Sequence, residues 1–285
     1  MTATPPVPVE TLPMQMTYSA KVPEGADAVL IPGGLVTPHG TWAPVTGPGM
    51  DAIEEATTGQ RAYRMVPEGD EIAVAFRYAP ARGPYADAIF TPHPSRFTRF
   101  ADELVAEVDG VAGDRAGLDR ARAVADHVAA RFTYGHPEAR FNDGFEVVPA
   151  LGCGLVAGSC VDINTYFIAA LRAAGIEAGY VTGFFFPEDK GGTCEDGHCW
   201  VVTRIDGATA EWDIAHHLKR GIREIEPGLN PKPGRRLACF HSMGLAFPEL
   251  GISEMKALIE PVAVADGRVV PFDAPRIRLA EVETA

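Results

Sequence analysis

Gly158 to Ile176 reads GSCVDINTYFIAALRAAGI, and this run decides the fold class. Ser159 precedes Cys160, and Asp162 stands three positions after Ser159, the spacing of a capping box with Asp in place of the usual Glu or Gln. Cys160 is then the first helical residue. Ile163, Phe167, Ala170, Leu171 and Ala174 share its face, and Gly175 supplies a natural stop. A thiol on the first turn meets unpaired backbone N–H groups and the positive end of the helix dipole, which favour thiolate over thiol. The same N–H groups can hold an oxyanion. By itself a cysteine in an apolar helix is core filler, so its meaning depends on the partners the chain can bring to it.

Downstream lie apolar, β-prone segments from Ala178 to Phe186, His198 to Ile205 and Thr209 to Ile214. If Asp206-Gly207 forms a two-residue hairpin turn, Ile205 pairs with Ala208 and the ladder carries His198 to Ala215. Asp213 is then the diagonal neighbour of His198 on the same face, ~7 to 8 Å away between Cα atoms and within side-chain reach. A three-residue loop would put Asp213 on the other face. A nucleophilic cysteine needs an imidazole to accept its proton and a third group to fix the imidazole's tautomer. Cys160, His198 and Asp213 are therefore the candidate catalytic residues, although His198 alone reads equally as a surface histidine and Asp213 as the end of a strand.

Upstream, Leu118, Ala121, Ala125, Val128, Ala129 and Phe132 keep helical spacing and predict a helix ending near Tyr134, followed by an irregular loop to Gly158. Ala79 to Ser95 carries Pro80, Pro84, Pro92 and Pro94 and reads as a linker. Before it, Met14 to Val22, Ala28 to Ile31, Arg61 to Val66 and Glu71 to Tyr78 are short and β-prone. After the core, Val262 to Ala265 and Arg268 to Val270 flank Asp266-Gly267, a hairpin signal. The expected organisation is a flexible leader (1–12), a small β-rich N-terminal domain and linker (13–95), a catalytic domain (96–250) and a C-terminal extension with the hairpin (251–285). The fold class is α+β, with a helix-borne cysteine packed on an antiparallel sheet, preceded by that small β-rich domain.

The chain has 285 residues, 46% of them hydrophobic and 22% charged, which suits a folded globular protein. Lys plus Arg number 25 against 38 Asp plus Glu, a formal charge of -13 with no basic run, so a nucleic-acid partner is disfavoured. The start shows no signal-peptide pattern and no stretch has the ~18 apolar residues of a membrane span, so the cytoplasm and no membrane partner are the expectation. The five cysteines are an odd set in a chain this long, which points to reduced thiols. Cys153, Cys160, Cys194, His198 and Cys199 also offer soft metal ligands. No C-x-x-C pair occurs, however, and no metal or cofactor is expected. Glu195, Asp196, His216, His217 and Lys219 are weighed as lining residues against solvated loop positions.

Together these residues resemble the transglutaminase-like superfamily. Its core carries Gly-x-Cys at a helix start, a helix ending in Arg-x-x-Gly-Ile, then His-x-Trp and Asp on consecutive strands. The counterparts are Gly158-Ser159-Cys160, Arg172-Ala173-Ala174-Gly175-Ile176, His198-Cys199-Trp200 and Trp212-Asp213, within a resemblance running from Leu118 to His217. It implies a papain-like core, with Cys160 as nucleophile, His198 as base and Asp213 as orienter, passing an acyl group through a thioester. The expected partner is a peptide, amide or carrier-linked acyl substrate, and the reaction is hydrolysis or amide transfer. Two departures stand out: Ile214 follows Asp213 where relatives often have Pro, and Cys199 replaces a usually small residue. The alternatives are an inactive domain of this type that binds a peptide or partner, and a zinc-binding protein.

Overall fold

A computed structural model describes residues 14–228 and 231–282. The expected leader, 1–12, lies outside the described residues, as does the 283–285 end of the expected extension. The architecture is α+β. Its centre is a four-stranded antiparallel sheet in the order Ala208–Trp212, His198–Ile205, Glu177–Pro187, Gly234–His241. Glu177–Pro187 is paired on both edges and buried along most of its length, which explains its largely apolar run.

The Cys160 helix (Cys160–Ala173) packs on one face of this sheet, against Ala178, Tyr180, Cys199, Val201 and Trp212. Phe167 meets Trp212 edge to face at 6.0 Å between centroids. The helices Asp102–Ala112 and Gly117–Arg131 complete that side. Gly117–Arg131 follows the predicted periodicity, whereas Asp102–Ala112 is an element the sequence reading passed over. On the opposite face Val181, Trp200 and Val202 are covered by Tyr85, Ile89 and Phe90. The proline-rich stretch is therefore not a free linker. Its apolar side chains include a one-turn helix, Asp87–Phe90, pinned to the sheet by burial.

A bulge between Thr182 and Gly183 changes the register of the Glu177–Pro187 strand against Gly234–His241. Beyond it Phe184 and Phe186 pack with Leu237 and Cys239 against Met16, Tyr18 and Phe76. Only glycine fits at the bulge, because a Cβ on Gly183 would lie 1.7 Å from the Leu237 carbonyl oxygen.

Two further sheets are built from both ends of the chain. Met14–Lys21 pairs with Glu71–Ala79 on one edge and with Arg276–Glu281 on the other, in a six-stranded sheet. Ala28–Pro32 pairs with Arg61–Met65 and with Val262–Ala265 in a five-stranded one. Strands from 13–95 and from 251–285 thus share both sheets. The Asp266-Gly267 hairpin forms as expected, with both residues at positive φ and Ala265 opposite Arg268.

The Asp206-Gly207 turn also forms, with φ of 51° and 77°, and Ile205 pairs with Ala208. The ladder stops at Val201 opposite Trp212, so the expected pairing of His198 with Ala215 does not occur. Asp213 leaves the strand and caps a helix, Ile214–Lys219, where a strand end was expected; its Oδ1 accepts the His216 N–H at 3.1 Å. Among the described residues no helix is long and apolar enough to cross a membrane.

Candidate active site

The Cys160 helix starts where a short strand ends. Val156–Gly158 pairs parallel with Phe132–Tyr134, and a Cβ on Gly158 would press within 2.9 Å of the Phe132 ring. The chain then turns into the expected capping box. Asp162 Oδ2 accepts the Ser159 N–H at 2.9 Å and the Ser159 hydroxyl at 2.8 Å, and Ser159 in turn accepts from the Asp162 backbone. Arg140 Nη1 donates to Asp162 Oδ2 at 2.7 Å and to Ser159 Oγ at 2.9 Å. Ile163 is the first residue whose N–H reaches back to Ser159 O, so the N–H groups of Cys160 and Val161 precede the first internal acceptor.

His198 begins its strand and Asp213 follows the next one, and both are buried. His198 Nε2 lies 2.9 Å from Asp213 Oδ2. An ionised carboxylate only accepts, so Nε2 carries the hydrogen of this bond and Nδ1 is left as the acceptor nitrogen of the neutral ring. Burial pulls the His198 pKa down, but the Asp213 charge and hydrogen bond outweigh it and the net shift is upward. Burial would raise Asp213; the His198 and Arg236 charges reverse that and hold it well below the usual carboxylate range.

The Cys160 thiol is pushed up, first by hydrogen bonding with Cys199 and then by burial, with His198 acting in the opposite sense. Burial and the Cys199 contact thus oppose the thiolate that a helix start favours, while His198 supports it. Cys199 lies on the sheet face under the helix, where Asn164, one turn beyond Cys160, donates to its carbonyl at 2.9 Å and to its Sγ at 3.5 Å.

Two neighbours of Asp213 were not anticipated as its partners. His216 Nδ1 lies 2.7 Å from Asp213 Oδ2, and its ring sits 4.2 Å from that of His198. Arg236 Nη2 donates to the same oxygen, while its guanidinium lies 4.8 Å above Trp200 and 5.3 Å above Phe185. Arg236 comes from Gly234–His241, a strand the sequence reading did not recognise, and nothing local in the sequence ties it to Asp213. His216 carried a signal, since it stands three residues after Asp213, the distance at which a capped first turn brings side chains together.

A polar cleft of about 100 Å³ opens onto this cluster, lined by Phe185, Glu195, Asp196, His198, His216 and Lys219 among others. His217 is turned inward instead, with Nδ1 on the Asp213 carbonyl at 2.7 Å. Among the described residues, the groups close enough to share an ion are His198, Asp213 and His216, with ligand atoms within 4.8 Å of one another and no cysteine among them. Arg236 already brings its positive charge to Asp213 Oδ2, the place a cation would take.

Residues 102–212, which carry the helix start, the His198 strand and its hairpin partner, match the family model of the transglutaminase-like superfamily. That stretch of the chain is similar to the superfamily. No curated protein matches it. Among solved structures it is similar to one described as a "putative cysteine protease" from Cytophaga hutchinsonii, at 13% identity over 94% of this chain and 98% of that one, with a TM-score of 0.48. It is also similar to the periplasmic domain of TgpA from Pseudomonas aeruginosa, at 13% identity over 75% of this chain and 90% of that one, with a TM-score of 0.39. In the structure the Cys160 helix packs on the sheet that carries the His198 strand, and His198 meets Asp213 at 2.9 Å.

Proposed function

We propose that this chain is a cysteine acyl-transfer enzyme that acts on an amide or related acyl donor through a thioester. Cys160 is the nucleophile, His198 the general base and Asp213 the carboxylate that orients it. The reading is carried by the buried His198–Asp213 contact of 2.9 Å, which fixes the ring tautomer beside the first turn that bears Cys160.

His198 Nδ1 takes the Cys160 proton as sulfur attacks the donor carbonyl carbon. Asp213 stabilises the imidazolium without taking its proton. The N–H groups of the helix start face the developing oxyanion. Collapse of the tetrahedral adduct breaks the C–N bond, and His198 returns the proton to the departing amine. Water or an amine then attacks the thioester, His198 accepting its proton and passing it to the departing Cys160 sulfur, so that the thiol and the neutral base are restored. Burial and the Cys199 contact oppose ionisation of the Cys160 thiol, and His198 assists it at the first step.

Intact-mass measurement after exposure to candidate peptide amides tests this, since an adduct equal to the donor acyl group should form on Cys160 and be absent from Cys160→Ala. With a substrate in hand, Cys160→Ala should abolish turnover and His198→Ala should lose about 10² to 10⁴-fold in rate. Asp213→Asn should keep measurable activity, because it disturbs orientation without deleting a reacting group. Near-normal turnover of His198→Ala would remove the triad, and turnover by Cys160→Ala would overturn the acyl-transfer reading through Cys160.

A further inference from the structure

A second cleft, of about 250 Å³, lies between the six-stranded sheet and the start of the Gly234–His241 strand. Its composition is unlike the rest of this acidic chain. Trp42 and Tyr78 form one wall, with ring centroids 5.2 Å apart at 53°. Arg82, Arg235 and Arg236 line the same cleft. His39 closes one side and is fixed there by Glu211, which it meets at 2.9 Å and which also accepts the Tyr85 hydroxyl at 2.5 Å.

The arginines differ in what already occupies them. Arg236 forms the floor and is committed to Asp213. Arg235 meets a soft acceptor, Met14 Sδ at 2.9 Å, and Arg82 stands exposed on the loop after the Glu71–Ala79 strand. Neither has a carboxylate within ion-pair distance among the described residues, although the chain carries 38 acidic side chains. Two guanidinium groups without acid partners among those residues, set over an aromatic wall, focus a local positive potential in a molecule of net charge -13.

We propose that this cleft binds a small carboxylic acid with an aromatic or apolar body. The carboxylate is taken by the forks of Arg82 and Arg235, whose planar donors match it pairwise. The body lies against Trp42 and Tyr78, where ring stacking and apolar burial hold it. The site does not depend on Cys160 and stands whether or not the acyl-transfer reading does.

Calorimetric titration of the whole protein with N-acetylphenylalanine, at constant ionic strength, tests it. Saturable binding in about the millimolar range or tighter is expected for a ligand of this size. The corresponding C-terminal amide should bind about tenfold more weakly or worse, because the charge-assisted hydrogen bonds are lost. The double variant Arg82→Ala, Arg235→Ala should lose binding to the same degree while keeping its thermal transition, both side chains being exposed. Cys160→Ala should bind as the parent does. Inorganic phosphate at equal concentration should not displace the probe, and displacement would overturn the requirement for an aromatic body. The proposal is also overturned by equal affinity for acid and amide, by unchanged binding in the double variant, by loss of binding in Cys160→Ala, or by absence of saturable binding.

Discussion

Replacing Asp162 by alanine should weaken the whole fold and loosen the helix start that bears Cys160. Asp162 is fully buried, and its Oδ2 receives three donors: Ser159 N at 2.9 Å, Ser159 Oγ at 2.8 Å and Arg140 Nη1 at 2.7 Å. Loss of the capping box costs about 1 kcal/mol. The Ser159 N–H is left buried without its acceptor, a further ~1 to 3 kcal/mol. The Arg140 pair adds well under 1 kcal/mol, because the Arg140 side chain is 40% exposed and solvent screens it. One gain runs the other way. Asp162 Oδ1 is buried without a hydrogen bond, and Lys256 Nζ is 3.9 Å off, so removing that oxygen relieves part of the desolvation cost. The net loss should be about 2 to 3 kcal/mol, or roughly 3 to 5 °C in melting temperature. Asp162→Asn keeps an acceptor for Ser159 and should cost about half as much. Urea denaturation followed by circular dichroism, with the slope checked for constancy, gives both numbers. A change below about 0.5 kcal/mol for Asp162→Ala, or an asparagine variant as unstable as the alanine one, would refute the argument that this carboxylate organises the helix start.

Gly183→Ala should prevent recovery of folded protein, since a Cβ 1.7 Å from the Leu237 carbonyl oxygen cannot be accommodated by a side-chain shift; soluble protein with a normal melting transition would contradict this. His241 and His216 are both held down to about 4 by burial, against 6.5 for the free side chain. The unfolded chain therefore binds more protons than the folded one between about pH 6.5 and 4, and stability rises with pH across that window. Each contributes on the order of 2 kcal/mol between pH 5 and 7. His198 acts with the opposite sign, because its folded pKa is raised; the stability from its pairing is present in acid and lost as pH rises through that value. Urea midpoints at pH 5 and pH 7 should differ less in His241→Asn than in the parent, and an unchanged difference would show that burial does not hold His241 neutral.

Much of the site was legible along the chain because it is made of local signals. The capping box at Ser159 and Asp162, the apolar face of the following helix and the Gly175 stop all lie within a few turns of one another, where backbone geometry leaves little choice. The Asp206-Gly207 turn needs two residues at positive φ, and that demand set the register as far as Val201 opposite Trp212; the last step to His198 is made by Asp213 leaving the strand to cap the next helix.

Tertiary contact decided the rest. Arg236 reaches Asp213 from a strand whose apolar pattern is interrupted at its start by glycine and two arginines, and its position depends on the bulge at Thr182 and Gly183 in the neighbouring strand. The proline-rich segment looked open because proline forbids regular structure there, yet burial of Tyr85, Ile89 and Phe90 against the sheet fixes it more firmly than any local preference could. The surroundings of the Cys160 thiol follow the same rule. A helix dipole can be read from sequence, but the approach of Cys199 and the burial of the thiol, which both push its pKa up, arise only when the sheet closes beneath the helix.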